Sequence, residues 1–187
     1  MFDRLEFHAD AVDQAMDSSR PDEVSQIAHV AAAGIQGLQA GVVATVIMTA
    51  FRLPIMRSLP PSSNFWSQYV AGGDPDDHLI AGLGLHFVYG SIAGAIFGTL
   101  FALQNAERSF EAEHRGLVWG AVYGMMLSAF GSQVMLKELL DIRLDSDELA
   151  LFHAGHLVYG LSLGAWVGSR TEGVEDPEVE YEYGDGN

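Results

Sequence analysis

Four stretches of this chain contain no Lys, Arg, Asp or Glu. They run from Val24 to Phe51, from His78 to Ala106, from Gly116 to Leu136 and from Leu149 to Ser169. Each exceeds the roughly 20 residues with which a helix crosses a bilayer core. A charge at the centre of such a helix costs about 2.5–3.5 kcal/mol, which explains its absence. The pattern predicts an all-α polytopic membrane four-helix bundle over residues 21–169, with spans at about 27–51, 79–104, 115–137 and 148–169.

The charged residues are concentrated at the two ends of the chain. Seven acids lie in residues 1–23 and seven more in residues 171–187, and the net charge is −16. We expect an amphipathic acidic segment over residues 1–20 and a disordered acidic tail over 170–187. Ser19 and Pro21 are typical of a helix start, so the first span should begin there as a new helix.

The same charge balance bears on partners and on localisation. An excess of acid argues against nucleic acid as a partner. The expected partner is the lipid bilayer, and association into a homo-oligomer or with other membrane subunits is left open. We expect a multi-pass protein of the cell membrane with cytoplasmic termini. Acid-rich ends and a single lysine, Lys137, are typical of halophilic organisms.

One motif occurs twice, 70 residues apart. Residues 86–98 and 156–168 are identical at seven of thirteen positions, including the leading His and three Gly at intervals of four. A weaker match links the first and third spans at an offset of 79, where Gly37 and Gly41 correspond to Gly116 and Gly120. The two offsets predict two tandem helical hairpins, related as a parallel repeat.

Glycines four residues apart form stripes along these helices. Residues four apart lie nearly above one another on a helix, and in membranes small residues allow helix backbones to approach closely. We therefore predict that these glycines form the helix interfaces: Gly37, Gly41, Gly90, Gly94, Gly98, Gly116, Gly120, Gly124, Gly160, Gly164 and Gly168.

Polar side chains within the spans are few and should face protein, because an unpartnered polar group in hydrocarbon is costly. The set predicted to lie in the bundle interior is Gln36, Gln39, His86, Tyr89, Gln133, His156 and Tyr159. A hydrogen bond between helices is the simplest role for each repeated histidine, with a Tyr or Gln side chain as partner.

Two other roles for the histidines remain open. Paired imidazoles can hold a haem or a metal between two helices, and His153 adds a possible ligand beside His86 and His156. They can also line a proton-linked or solute pathway. We predict no catalytic residue, since histidine is the only acid or base within the spans. We also predict no metal site and no cofactor, with haem b as the alternative. The chain also has no cysteine.

Two acidic clusters precede the second and fourth spans. The first, beginning at Asp74, adjoins His78 and invites a metal interpretation. A helix cap explains it better, because Asp74 can cap, Pro75 suits the first turn, and acids complement the helix dipole. The second cluster begins at Asp145 and predicts a cap of the same kind.

The run Gly41-Val42-Val43-Ala44-Thr45-Val46-Ile47-Met48, together with the His-x-x-x-Gly-x-x-x-Gly pattern, resembles an uncharacterised family of small four-span integral membrane proteins common in halophilic archaea. The resemblance covers roughly residues 30–170 and implies placement in a membrane without implying an activity. We expect a non-enzymatic scaffold or a small transport-type protein. The alternative is a haem- or metal-binding membrane electron carrier that uses His86 and His156.

Overall fold

The computed structural model describes residues 3–56, 61–104 and 112–170, and for residues 3–23 it describes the backbone alone. Five α-helices follow one another in these ranges: α1 (Asp3–Met56), α2 (Ser62–Trp66), α3 (Leu79–Gln104), α4 (Ala112–Phe130) and α5 (Ser146–Arg170). π-Helical turns extend α2 over Ser67–Ala71 and α4 over Gly131–Leu139, and a 3-10 turn over Pro75–His78 leads into α3. The described ranges contain no strand, so the all-α prediction is confirmed.

Three of the helical segments are long and apolar enough to cross a membrane: Val24–Ile55, Pro75–Gln104 and Glu113–Leu139. Their outward faces expose large apolar side chains such as Ile35, Ile80 and Met126. Such extended apolar surface suits lipid and not water. The protein is therefore a membrane protein. The sequence predicts four spans. α5, which carries two histidines, is not one of these three segments, and its role as the fourth span stays a prediction.

The helices pack as two antiparallel hairpins. α1 pairs with α3 and α4 pairs with α5, and these two interfaces are the most extensive in the described part of the protein. The hairpins meet chiefly where α1 packs on α5, whereas the backbones of α3 and α4 come close at few points and are joined by the side chain of Tyr123. The bundle is thus closed on one side and open on the other.

Backbone contacts at glycine hold each hairpin together. A Cβ added to Gly41 would overlap the carbonyl oxygen of Gly90, and one added to Gly94 would overlap the carbonyl oxygen of Gly37. No residue with a side chain fits these positions without moving a helix.

The second hairpin makes the same contacts. Gly120 meets the carbonyl oxygen of Gly160, and Gly116 meets that of Gly164; these pairs follow the first-hairpin pairs by 79 residues on one helix and 70 on the other. The predicted packing glycines at such helix contacts are Gly37, Gly41, Gly90, Gly94, Gly98, Gly116, Gly120, Gly124, Gly160 and Gly164, with Gly168 opposite Gly116.

The buried core lies where three helices meet near the closed side. Its apolar members are Ala40, Ala44 and Met48 of α1, Phe97 and Phe101 of α3, and Tyr159, Leu163 and Val167 of α5. Small side chains on α1 allow α5 to approach closely, and the larger side chains of α3 and α5 fill the remaining space.

The predicted start of a new helix at Ser19 is wrong, because α1 passes Ser19 and Pro21 without ending. A proline removes one backbone donor and costs about 3 kcal/mol in a helix interior. It does not end this helix, which runs for 54 residues. The predicted amphipathic character of residues 1–20 concerns side chains outside the described set. The acidic tail is predicted over 170–187, and of these residues only Arg170, the last residue of α5, is described.

Both predicted acidic caps are confirmed. The Asp74 Oδ1 accepts a hydrogen bond of 3.0 Å from the Asp76 N–H, and Pro75 begins the turn. The Asp145 Oδ1 accepts from the Glu148 N–H at 2.9 Å, and the Glu148 Oε2 accepts from the Asp145 N–H at 3.1 Å. This reciprocal pair is a capping box, which satisfies the first free donors of α5.

Candidate functional site

A cavity of about 320 Å³ lies inside the bundle, at the end where α1 and α4 finish and α3 and α5 begin. Pro61, Ser62 and Phe65, at the start of α2, cover it from one side. Met135 and Leu136 of the π-helical turn line it near the end of α4. The volume lies at the lower end of the range that is typical of small-molecule sites.

Both repeated histidines line this cavity. The His156 Nδ1 lies 2.9 Å from the carbonyl oxygen of Phe152. A carbonyl oxygen can only accept, so Nδ1 donates, and in the neutral ring Nε2 is left as an acceptor. The His86 Nε2 is buried and has no hydrogen-bond partner among the described residues. The structure therefore brings together the two imidazoles that the repeat singles out.

The predicted hydrogen bonds between helices from these imidazoles are not found among the described residues. His156 bonds within its own helix, one turn back, which needs no partner on another helix. Tyr159 instead donates to the carbonyl oxygen of Gly90 on α3, at 2.6 Å. Glycine leaves that carbonyl uncovered by any side chain of its own residue, so the Tyr159 hydroxyl can reach it.

Three predicted interior residues lie on the outer surface instead. Gln36, Gln39 and Gln133 are exposed in this bundle, so the prediction that they face protein within the chain is wrong. The helix interfaces are set by the glycine stripes, and these amides lie on other faces of their helices. Tyr89 is 43% exposed but still lines the cavity, at its outer edge.

His153 does not line the cavity. Its Nδ1 lies 2.7 Å from the Ser128 hydroxyl of α4, a contact that links α5 to α4. Ser128 is fully buried, so this pair is an interhelical hydrogen bond of the kind predicted for the repeated histidines. The structure thus separates His153 from the pair with which it was grouped as a possible ligand.

Arg52 is the cavity residue that sequence reasoning missed. It is only 8% exposed, and its guanidinium carbon lies 5.7 Å from the centre of the Phe152 ring. A Cβ added to Gly155 would come within 2.8 Å of the Arg52 Cδ, so this glycine leaves room for the arginine. Arg52 follows directly after a charge-free run, which made it look like an ordinary flanking charge.

The cavity opens sideways, between α3 and α4. Its lining includes Ile92 and Ile96 of α3 and Phe130 of α4, which are 52%, 49% and 54% exposed. Ile92 lies close to the middle of the apolar segment Pro75–Gln104. The mouth of the cavity therefore lies beside the middle of an apolar segment that is long enough to span a membrane, while Arg52 lies near the end of Val24–Ile55.

Side-chain size explains why the bundle is open there. On α1 the residues facing α5 are Ala40 and Ala44, both buried. The residues 79 positions later on α4 are Trp119 and Tyr123. Trp119 is 45% exposed, and the Tyr123 hydroxyl reaches the carbonyl oxygen of Ala93 on α3 at 2.8 Å. Bulky side chains thus hold α4 away from α3, where alanines let α1 approach α5.

Corresponding residues of the two hairpins line the cavity together. His86 and His156, Tyr89 and Tyr159, and Met48 and Leu127 are such pairs, and all six line it. A further pair is unlike in size and charge. Where α1 carries Arg52, α4 carries Gly131, and both line the cavity. The lining therefore combines matched pairs with one pair, Arg52 and Gly131, that differs in both size and charge.

A comparison with known proteins gives no match to any family model, to any curated protein or to any solved structure. The functional argument therefore depends on the cavity and its lining.

Proposed function

We propose that this protein binds a small apolar molecule that enters the cavity from the bilayer, as a small transport-type membrane protein does. The observation that carries the proposal is the cavity mouth between α3 and α4, beside the middle of the apolar segment Pro75–Gln104. A molecule dissolved in the lipid can reach this mouth without passing through water. The lining inside the mouth is mostly apolar, and a few polar groups converge at its inner end, an arrangement that is typical of ligand sites.

The proposal predicts that filling the cavity abolishes binding. Ala93→Phe places a large ring beside Ile92 and Ile96, in the space that a ligand would occupy. We expect it to weaken binding of tritiated dodecanol by about tenfold or more, measured by scintillation proximity with the protein in lipid nanodiscs. Ala50→Phe, on an exposed face of α1, is the matched control and should bind like the unmodified protein.

Empty nanodiscs measure how much dodecanol dissolves in the lipid alone, so the comparison with them isolates binding to the protein. Specific binding should saturate and should be competed by unlabelled dodecanol. The proposal fails if the protein shows no saturable binding, or if Ala93→Phe and Ala50→Phe bind equally well.

A haem-binding electron carrier is the second candidate, because both repeated imidazoles line one cavity and the Nε2 of His156 is left as an acceptor. His86 and His156 would be the axial ligands, and bound haem would supply one-electron chemistry. The candidate predicts a Soret band in the purified protein that is lost in both His86→Ala and His156→Ala. Protein without the band after expression with added haem would exclude it.

The placement of the protein remains a proposal in its finer points. We propose a multi-pass protein of the cell membrane with α5 as the fourth span and cytoplasmic termini, related to the halophilic archaeal family that the sequence resembles. The matched contacts of Gly41 with Gly90 and of Gly120 with Gly160 support an origin by duplication of one hairpin. The exposed amides of Gln36 and Gln39 support association with a second copy or with another membrane subunit.

A further inference from the structure

We propose that the molecule bound in the cavity is a single-chain amphiphile with an anionic head group, which lies beside Arg52 while its chain extends toward the mouth between α3 and α4. This inference rests on the proposed function and specifies its ligand class. The shared chemistry is a carboxylate or phosphate oxygen attached to an apolar chain.

The first argument is the position of Arg52. A long cationic side chain near the end of a membrane span ordinarily extends to the interface and leaves its charge in water. Arg52 is 8% exposed and lines an internal cavity instead. Ionisable groups held inside a membrane protein mark functional sites by default, because their burial is costly.

The second argument is that the fold makes room for this side chain. Gly155 on α5 lies against the Arg52 Cδ, where any other residue would place a Cβ within 2.8 Å. The residue 70 positions earlier on α3 is Leu85, so the repeat motif does not require glycine there. Gly155 therefore serves the packing of Arg52 in the cavity wall and not the repeat motif.

The third argument is the charge of the lining. Arg52 is the one residue among the described cavity residues that is charged at every ordinary pH, and Asp and Glu are missing from that lining. An anion that enters the cavity therefore meets a cation, and the described lining holds no carboxylate that would repel the anion. The attraction is stronger here than in water, because the surroundings have a low dielectric constant. The imidazoles of His86 and His156 add polar groups at the same inner end.

The fourth argument is the direction of the cavity. Arg52 lies three residues from the end of the apolar segment Val24–Ile55, which is about 5 Å along a helix. The mouth at Ile92 lies near the middle of Pro75–Gln104. The cavity therefore extends from the head-group level of a bilayer to its hydrocarbon. A bound amphiphile would place its charged head at the first level and its chain at the second.

Competition against tritiated dodecanol in nanodiscs tests the inference. Dodecanoate and dodecyl phosphate should displace the label from the unmodified protein at about tenfold lower concentration than unlabelled dodecanol, and dodecyltrimethylammonium should not displace it. The two anions distinguish a free carboxylate from a lipid-like phosphate as the source of the head group. Equal displacement by dodecanol and by both anions would overturn the inference and leave the proposed function standing.

Substitution of Arg52 supplies the second measurement. Arg52→Met keeps an unbranched apolar chain and removes the charge, so the preference for the anions over dodecanol should disappear. Arg52→Lys should restore part of the preference, and Arg143→Met, an exposed change near the same end of the bundle, should leave it intact. A preference that persists in Arg52→Met would overturn the inference. Loss of saturable dodecanol binding to the unmodified protein would instead contradict the proposed function.

Discussion

Gly94→Leu is expected to lower the free energy of unfolding by about 3 kcal/mol or more, and to prevent assembly of the first hairpin in mild detergent. A Cβ on Gly94 would lie 2.6 Å from the Gly41 Cα, and it would also overlap the carbonyl oxygen of Gly37. Overpacking ordinarily costs about 1–3 kcal/mol, when side chains can shift. The upper end or more applies here because the opposing atoms belong to a helix backbone, so α1 and α3 must separate.

Gly84→Leu is the matched control on the same helix. A Cβ added to Gly84 has no heavy atom within 4 Å, so leucine there should be nearly neutral in the bilayer. Gly164→Leu should reproduce the Gly94 result in the second hairpin, because its Cβ would overlap the Gly116 backbone. Unfolding of each variant in mixed micelles of SDS and a mild detergent measures the difference. Equal stability of Gly94→Leu and Gly84→Leu would contradict the close approach of α1 and α3.

The helical part of this fold is well predicted from the sequence. Charge-free runs locate the long helices because the cost of a charge in hydrocarbon acts on every residue of a span. Glycine spacing locates the interfaces within each hairpin, since a missing Cβ at Gly41 or Gly120 has meaning only where another backbone approaches. The caps at Asp74 and Asp145 are local, so a few residues suffice to predict them.

The site is predicted only in part, because it depends on contacts between hairpins. The repeat directs attention to His86 and His156, and both line the cavity. Their hydrogen bonds could not be predicted. His156 bonds to the Phe152 carbonyl of its own helix, and Tyr159 bonds to the carbonyl of Gly90 instead of to an imidazole. Gln36 was predicted to face protein from its polarity alone, but the side of α1 that packs is set by its glycines and alanines.

Arg52 and the open side of the bundle could have been found by comparing the two halves. The offset of 79 that aligns Gly41 with Gly120 also aligns Arg52 with Gly131 and Ala44 with Tyr123. In a duplicated bundle, identical positions maintain the shared packing, and unequal ones show where the halves have diverged. The comparison would have singled out the pair of Arg52 and Gly131, and the structure adds that both residues line one cavity.

Gly131→Leu is expected to weaken ligand binding strongly. Gly131 lines the cavity where α1 supplies Arg52, and its lack of a side chain leaves the space that a ligand fills. Leucine there should enter the cavity, because the atom nearest its Cβ is the Phe152 Cζ at 2.9 Å, the tip of a ring that can turn aside. We expect binding of tritiated dodecanol to weaken by about tenfold or more.

The two substitutions distinguish the contribution of cavity volume to binding from the contribution of the Arg52 charge. Gly131→Leu removes volume, so dodecanol and dodecanoate should lose affinity together, whereas Arg52→Met should remove only the preference for the anion. The free energy of unfolding of Gly131→Leu should stay within about 1.5 kcal/mol of the unmodified protein, as for a change that a flexible neighbour accommodates. Gly84→Leu, which adds the same side chain outside the cavity, should bind normally. Normal dodecanol binding by a folded Gly131→Leu would place the ligand elsewhere, because the difference between Gly131 and Arg52 would then have no part in making the site.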